Sequence, residues 1–286
     1  MSPFRRHAVH AASATRTGEE CFGLNDDRAL VDSAHALILV ADGAGPTYGG
    51  YYAPVGMDLA IEAIARLLGG ATAPRDGTAR LHAAFTAAHD RCAALEAEQR
   101  AVFEARLRVS STDRLGASLA ACRDVAARAG RPVEQFAHFG ASITALHYWG
   151  ESQLTVAQIG TCRAYRLRRG HLEQLLPDDT IASAMEASGE EVDAESLARL
   201  GNVATKLLGL TPRAEVSLRT ERLEPGDRYL LCTDGLWGSL GVAELQAALA
   251  RDASLERSAT ALVDGVAKRT PPRPHTTAIV IDVAAT

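Results

Sequence analysis

No run of lysine and arginine long enough to build a basic face occurs in this 286-residue chain; the longest clusters are Arg5-Arg6 and the group Arg166, Arg168 and Arg169. With a formal net charge of -5 the chain has no global attraction to nucleic acid, and none is expected as a partner. No apolar run approaches the roughly 20 residues that span a bilayer, so no membrane span is expected. No continuous apolar stretch follows Arg5 and Arg6, which argues against a signal peptide. The five cysteines, Cys21, Cys92, Cys122, Cys162 and Cys232, include no pair spaced for a zinc site or a redox couple. Reduced, mostly buried thiols in a cytoplasmic protein are the expectation. No internal repeat is present.

What is present suits a globular fold. Hydrophobic residues make up 47% and charged residues 23% of the chain, enough apolar material for a full core. Short apolar or β-branched runs bounded by Gly, Asp, Pro or Ser read as strands: 35–41, 142–149, 154–160, 163–167, 228–233 and 277–283. Helical spacing of apolar residues marks 54–68, 78–108, 114–128, 242–250 and 254–268, with Asp76, Thr112 and Ser254 as N-caps. The strands arrive in blocks, with a helix-rich stretch from 52 to 130 between them. That order predicts an α+β fold of two stacked antiparallel β-sheets flanked by helices, not a doubly wound parallel sheet. The helical segment 78–130 should cover one sheet, and the polar stretch 177–210 reads as an insertion or flap. The run Thr270-Pro271-Pro272-Arg273-Pro274 reads as a rigid connector into the last strand.

Asp-Gly occurs four times, at Asp42, Asp76, Asp234 and Asp264, and as a bare dipeptide it is a common turn signal. Context separates the four. Asp76 lies in a polar loop and Asp264 in a helical pattern, whereas Asp42 follows LILVA and Asp234 follows YLLCT. A carboxylate at the end of a buried strand is held rigidly, as a metal site requires. Carboxylate oxygens suit Mg2+ or Mn2+, and a following glycine lets a backbone carbonyl approach the ion. The bland alternative is two hairpin turns.

The order of segments from about 18 to 283 resembles the metal-dependent protein phosphatases of type 2C (PPM-type). Asn25-Asp26-Asp27 resembles the family's Asn-Glu-Asp motif, and Val40 to Gly45 its Asp-Gly-x-Gly-Gly motif. Gly140 to Ala145 resembles its Gly-Ser/Thr-Thr strand, and Gln158 to Tyr165 its Gly-Asp-Ser-Arg-x-Tyr strand. Asn202 to Gly209 resembles the segment ending in Leu-Gly, and Thr277 to Val280 the final strand. Leu223 to Trp237, LEPGDRYLLCTDGLW, is the longest match. The resemblance implies a single phosphatase domain over 1–286 and a centre of two Mn2+ or Mg2+ ions. It implies that Asp42 bridges the ions, that Gly43 offers its carbonyl, that Asp234 binds one ion and that Asp27 supports the metal waters. Water activated between the ions would attack phosphorus directly in phosphoserine or phosphothreonine, with no covalent phosphoenzyme. A phosphorylated protein substrate and a cognate Ser/Thr kinase are the partners this implies.

The sequence departs from the family pattern in several places. Pro274-His275 stands where the family has a closing Asp-Asn, whose Asp is a direct ligand. His275 is therefore a candidate ligand, better suited to Mn2+ than to Mg2+. Thr161 replaces the Asp associated with an accessory third ion. Ala44 and Gly45-Pro46 alter the first Gly-rich motif. The family's phosphate-contacting Arg has no clear match, Arg16 being the nearest upstream. These losses lower the negative charge that would hold ions, and predict a weak, Mn-preferring phosphatase. The alternative is a catalytically inactive pseudophosphatase that binds a phosphoprotein or a kinase.

Overall fold

The computed structural model describes residues 7–18, 25–43, 53–70, 76–106, 140–189, 193, 195, 200–201, 203–250, 254–269 and 274–285, without side-chain detail for 7, 53–56, 95–106 and 285. The first block holds β1 (His7–Arg16), β2 (Arg28–Asp32), β3 (Leu37–Gly43), α1 (Ala53–Gly69) and α2 (Gly77–Arg106). The middle holds β4 (Ala141–Trp149), β5 (Gln153–Ile159), β6 (Arg163–Arg168), β7 (His171–Gln174) and α3 (Ile181–Ala187). The last holds β8 (Ser217–Arg222), β9 (Arg228–Cys232), α4 (Asp234–Trp237), α5 (Val242–Leu249), α6 (Leu255–Ala267) and β10 (Thr276–Ala285). The strands form two five-stranded sheets, ordered β1-β10-β9-β6-β7 and β2-β3-β4-β5-β8. Among the described residues every strand pairing is antiparallel, as the block order of the strands predicts.

The central strands read as unbroken apolar runs because both of their faces are covered. In β3, Leu37, Leu39 and Ala41 pack under α1 and α2, while Ile38 and Val40 enter the layer between the sheets. Strand β9 divides the same way: Tyr229 and Leu231 point between the sheets, and Leu230 and Cys232 point toward α5 and α6. The result is four layers, helix–sheet–sheet–helix.

The first part of α2 covers the second sheet. Leu81, Ala84, Phe85, Ala88 and Cys92 recur at helical spacing and are fully buried with Ile143, Ala145 and Ala157. Its N-terminus is capped as expected, by Asp76 Oδ2 accepting from the Ala79 amide at 2.7 Å. Ser254 caps α6 in the same way, its side chain accepting from Arg257 N. The expected helix 114–128, the Thr112 cap, the side chain of Leu95 and the connector 270–273 lie outside the described residues. Among the described residues no helix is long and apolar enough to cross a membrane. Cys92, Cys162 and Cys232 are buried.

Candidate metal centre

Asp27 precedes β2, Asp42 lies near the end of β3, and Asp234 opens α4 directly after β9. The first two belong to one sheet and the third to the other, so the fold brings together carboxylates more than 190 positions apart at one end of the sandwich. Asp42 touches both Asp234 and Asp27 through its carboxyl group. Loss of hydration is the main perturbation of all three. Burial pushes Asp27 up to about 7, with Asp234 adding repulsion. Burial and repulsion by Asp234 and Asp27 hold Asp42 well above the carboxylate range, and burial raises Asp234 as well. Asp26, also buried, is raised to about 6 by loss of hydration. Like charges this close cannot all ionise, so the site favours a protonated Asp42 unless a cation takes the proton's place.

The loop before β2 is held by a chain of hydroxyls that sequence reading did not single out. Thr233 Oγ1 donates to Asp27 Oδ2 at 2.9 Å and itself accepts from the Thr277 amide at 3.0 Å. Thr277 Oγ1 lies 2.8 Å from Thr15 Oγ1, which accepts from Asn25 Nδ2 at 3.0 Å. Asn25 Oδ1 then accepts from the Asp27 amide at 2.9 Å. Arg28 clamps the same loop from outside, donating to the carbonyls of Asn25 and Asp27 at 2.9 and 3.0 Å and to Asp58 of α1 at 2.9 Å. The signal for these residues was weak. Thr233 and Thr277 stand at strand ends where a β-branched residue is unremarkable.

Asp27 Oδ1 is buried and makes no hydrogen bond among the described residues. An orphaned carboxylate oxygen beside two further carboxylates fits a hard divalent cation, whose binding would satisfy it. Among the described residues, however, no group of three or more His, Cys, Asp and Glu side chains forms a ready-made ligand set. The donor set is therefore two touching carboxylates with a third alongside.

Pro274-His275 closes the same region through its backbone. A Cβ on Gly235 would collide with the His275 carbonyl oxygen, far inside van der Waals contact, so glycine is required there for packing. The His275 ring accepts from the Gly18 amide through Nδ1 at 2.9 Å, and it is not among the groups that chiefly perturb the three aspartates. Thr161 is buried and its backbone is committed: its amide donates to Ser142 Oγ at 2.7 Å and its carbonyl accepts from Trp237 Nε1 at 2.9 Å. Arg16 is turned toward Asp264, 3.4 Å away on α6. Ala44, Gly45 and Pro46 lie outside the described residues.

Much of the long match 223–237 is structural. Asp227 Oδ1 and Oδ2 each accept from Arg168 at 2.6 Å, and Oδ2 also accepts from the Glu224 amide and the Tyr229 hydroxyl. This pins the turn that delivers β9, and hence Asp234, to the centre.

No family model matches the chain. The Ser/Thr protein phosphatase PstP of Mycobacterium tuberculosis is 32% identical over 134 residues, 43% of this chain and 26% of that protein. The Ser/Thr phosphatase stp of Listeria innocua is 28% identical over 115 residues, 40% of this chain and 45% of its own length. The chain thus spans less than half the length of these curated relatives. Among solved structures, the PstP catalytic domain in complex with two manganese ions superposes with a TM-score of 0.70 at 24% identity, over 97% of this chain and 99% of that one. Stp1 of Staphylococcus aureus superposes with a TM-score of 0.73 at 16% identity, over 96% of this chain and 95% of that one. The chain has the fold of the type 2C, PPM-type protein phosphatases and is related in sequence to their bacterial members.

Proposed function

We propose that this chain is a metal-dependent protein phosphatase acting on phosphoserine or phosphothreonine. The observation that carries the reading is the contact between Asp42 and Asp234, delivered from different sheets, with Asp27 and its unsatisfied oxygen beside them. Asp42, Asp234 and the carbonyl of Gly43 are the groups that would hold Mn2+ or Mg2+. When bound, such ions activate water as the nucleophile and neutralise charge on the phosphoryl group.

The chain's own residues supply the rest. Thr233 and the Asn25–Thr15–Thr277 chain fix Asp27, so that its carboxylate can accept a proton from water without changing rotamer. In the metal-free protein burial holds that carboxyl up at about 7, and beside a bound cation it would fall toward the ionised form that accepts a proton. With Pro274 in place of the family's closing Asp, less negative charge faces the ion at Asp234. A preference for Mn2+ over Mg2+ and modest turnover follow from that, with His275 as a candidate nitrogen ligand. A phosphorylated protein and the kinase that modifies it are the expected partners, the protein relatives of this chain being named as Ser/Thr phosphatases.

The test is turnover of a phosphothreonine peptide with Mn2+, Mg2+ and chelator, for the wild type and Asp42→Asn. Mn-dependent release of phosphate that Asp42→Asn abolishes supports the reading. Turnover that is equal in the variant, or absent at millimolar Mn2+ from folded protein, refutes it.

A further inference from the structure

We infer that the cleft beside Asp234 docks the polypeptide flanking the phosphorylated residue, and that Glu186 selects a basic side chain there. The inference rests on the phosphatase reading and adds a substrate preference to it. The cleft has a volume of about 590 Å³ and lies between the end of β7, the segment before α3, and α3 itself.

Its position comes from a shared wall. Trp237 lies one turn after Asp234 on α4, and the Arg163 guanidinium stacks over its ring, 3.4 Å from the centroid. Asp178 takes both Nε and Nη2 of Arg163, at 2.9 and 2.5 Å. The charges of Arg163 and Asp178 both act on the Asp234 carboxyl. A chain lying against this wall therefore has its phosphorylated residue next to the aspartates.

Its chemistry comes from what is already spent. Arg163 is neutralised by Asp178. The Gln174 amide donates to the Leu176 carbonyl at 2.8 Å and to Asp178 Oδ1 at 3.0 Å. Leu176 and Pro177 add an apolar surface. Glu186 remains, an exposed carboxylate on α3 that has no ion-pair partner among the described residues. Among the described residues the vacant charge of the cleft is thus negative. A lysine or arginine fits it, its stem against Leu176 and Pro177 and its head at Glu186. A solvent-exposed pair of this kind yields a preference of about two- to five-fold.

The experiment uses phosphothreonine peptides carrying a single Arg, or a single Glu, at each flanking position in turn. Binding is read by fluorescence anisotropy on chelator-treated protein, and turnover separately with Mn2+. The expected result is an Arg-over-Glu preference of about two- to five-fold at one position or two neighbouring ones. That preference should vanish in Glu186→Gln and invert in Glu186→Lys, while hydrolysis of p-nitrophenyl phosphate stays unchanged. No positional preference, or the same preference in all three proteins, overturns the inference. Absence of p-nitrophenyl phosphate hydrolysis with the Glu186-dependent binding preference intact would refute the phosphatase reading and leave the docking site standing.

Discussion

Replacing Asp42 by asparagine should make the metal-free protein more stable while abolishing its response to metal. The side chain keeps its shape and loses its charge. In the folded, metal-free protein Asp42 is pressed against Asp234 and Asp27, and burial and repulsion oppose its ionisation. The scale is set by Asp27, whose pKa rises from 3.8 to about 7. A shift of about three units corresponds to roughly 4 kcal/mol at neutral pH. The sign follows from the raised folded-state values: the stability these groups contribute is complete below pH 3.8 and is lost as pH rises through about 7. Above neutrality the substituted amide avoids the cost of ionising at its own position and can still donate to Asp27 and Asp234 as the Asp42 carboxyl does, a gain on the order of 2 kcal/mol. For a chain of this size that is a rise in Tm of about 3 °C. Metal reverses the order, because an ion at about 100 times its Kd adds about 2.7 kcal/mol to a protein that binds it. Thermal unfolding at about pH 7.5 in chelator and in millimolar Mn2+ reads both effects. The variant should melt above the wild type in chelator and below or level with it in Mn2+. A variant that melts lower in chelator, or that gains as much from Mn2+ as the wild type, would refute the electrostatic account of this centre.

Gly235→Ala drives a Cβ into the His275 carbonyl oxygen, so it should displace the 274–275 backbone and reduce both Mn-dependent turnover and the Mn-induced rise in Tm. Asp227→Ala leaves Arg168 with its main partner gone in a mostly buried site; urea unfolding should show a loss of about 3 kcal/mol, with turnover retained at low temperature. His147 is buried, with Nδ1 3.3 Å from the Ala36 carbonyl, and loss of hydration together with Arg80 lowers its pKa from 6.5 to about 4. The unfolded chain then takes up a proton that the folded one refuses, so His147 by itself removes roughly 3 kcal/mol between pH 6.5 and 4, against the gain from the aspartates over the same range, and His147→Gln should raise stability at pH 4 relative to pH 6.5 by about that amount over the wild type in urea titrations.

The strands legible in the sequence were β3, β4, β5, β6, β9 and β10, and those missed were β1, β2, β7 and β8. The division is physical. The six are interior to their sheets and the four are the edges. An interior strand with both faces covered must be apolar at nearly every position, and HALILVA and RYLLCT announce themselves. An edge strand contacts a neighbour on one side and keeps charge on the other. Strand β8, SLRTER, carries arginines and a glutamate, and β1 is rich in alanine, so neither reads as a strand alone.

The same division runs through the candidate site. Sequence by itself determined the fold class, the strand-end placement of Asp42 and Asp234, and the caps at Asp76 and Ser254, because each depends on a few neighbours along the chain. Tertiary structure alone decided that the carboxyls of Asp27, Asp42 and Asp234 meet, since contact across two sheets leaves no local pattern. It also decided that Thr233 and Thr277 hold Asp27, that the His275 carbonyl packs on Gly235, and that Asp178 quenches Arg163 and leaves Glu186 as the open charge of the neighbouring cleft among the described residues. A side chain's charge is written in the sequence, but its hydration and its neighbours exist only once the chain has closed around it.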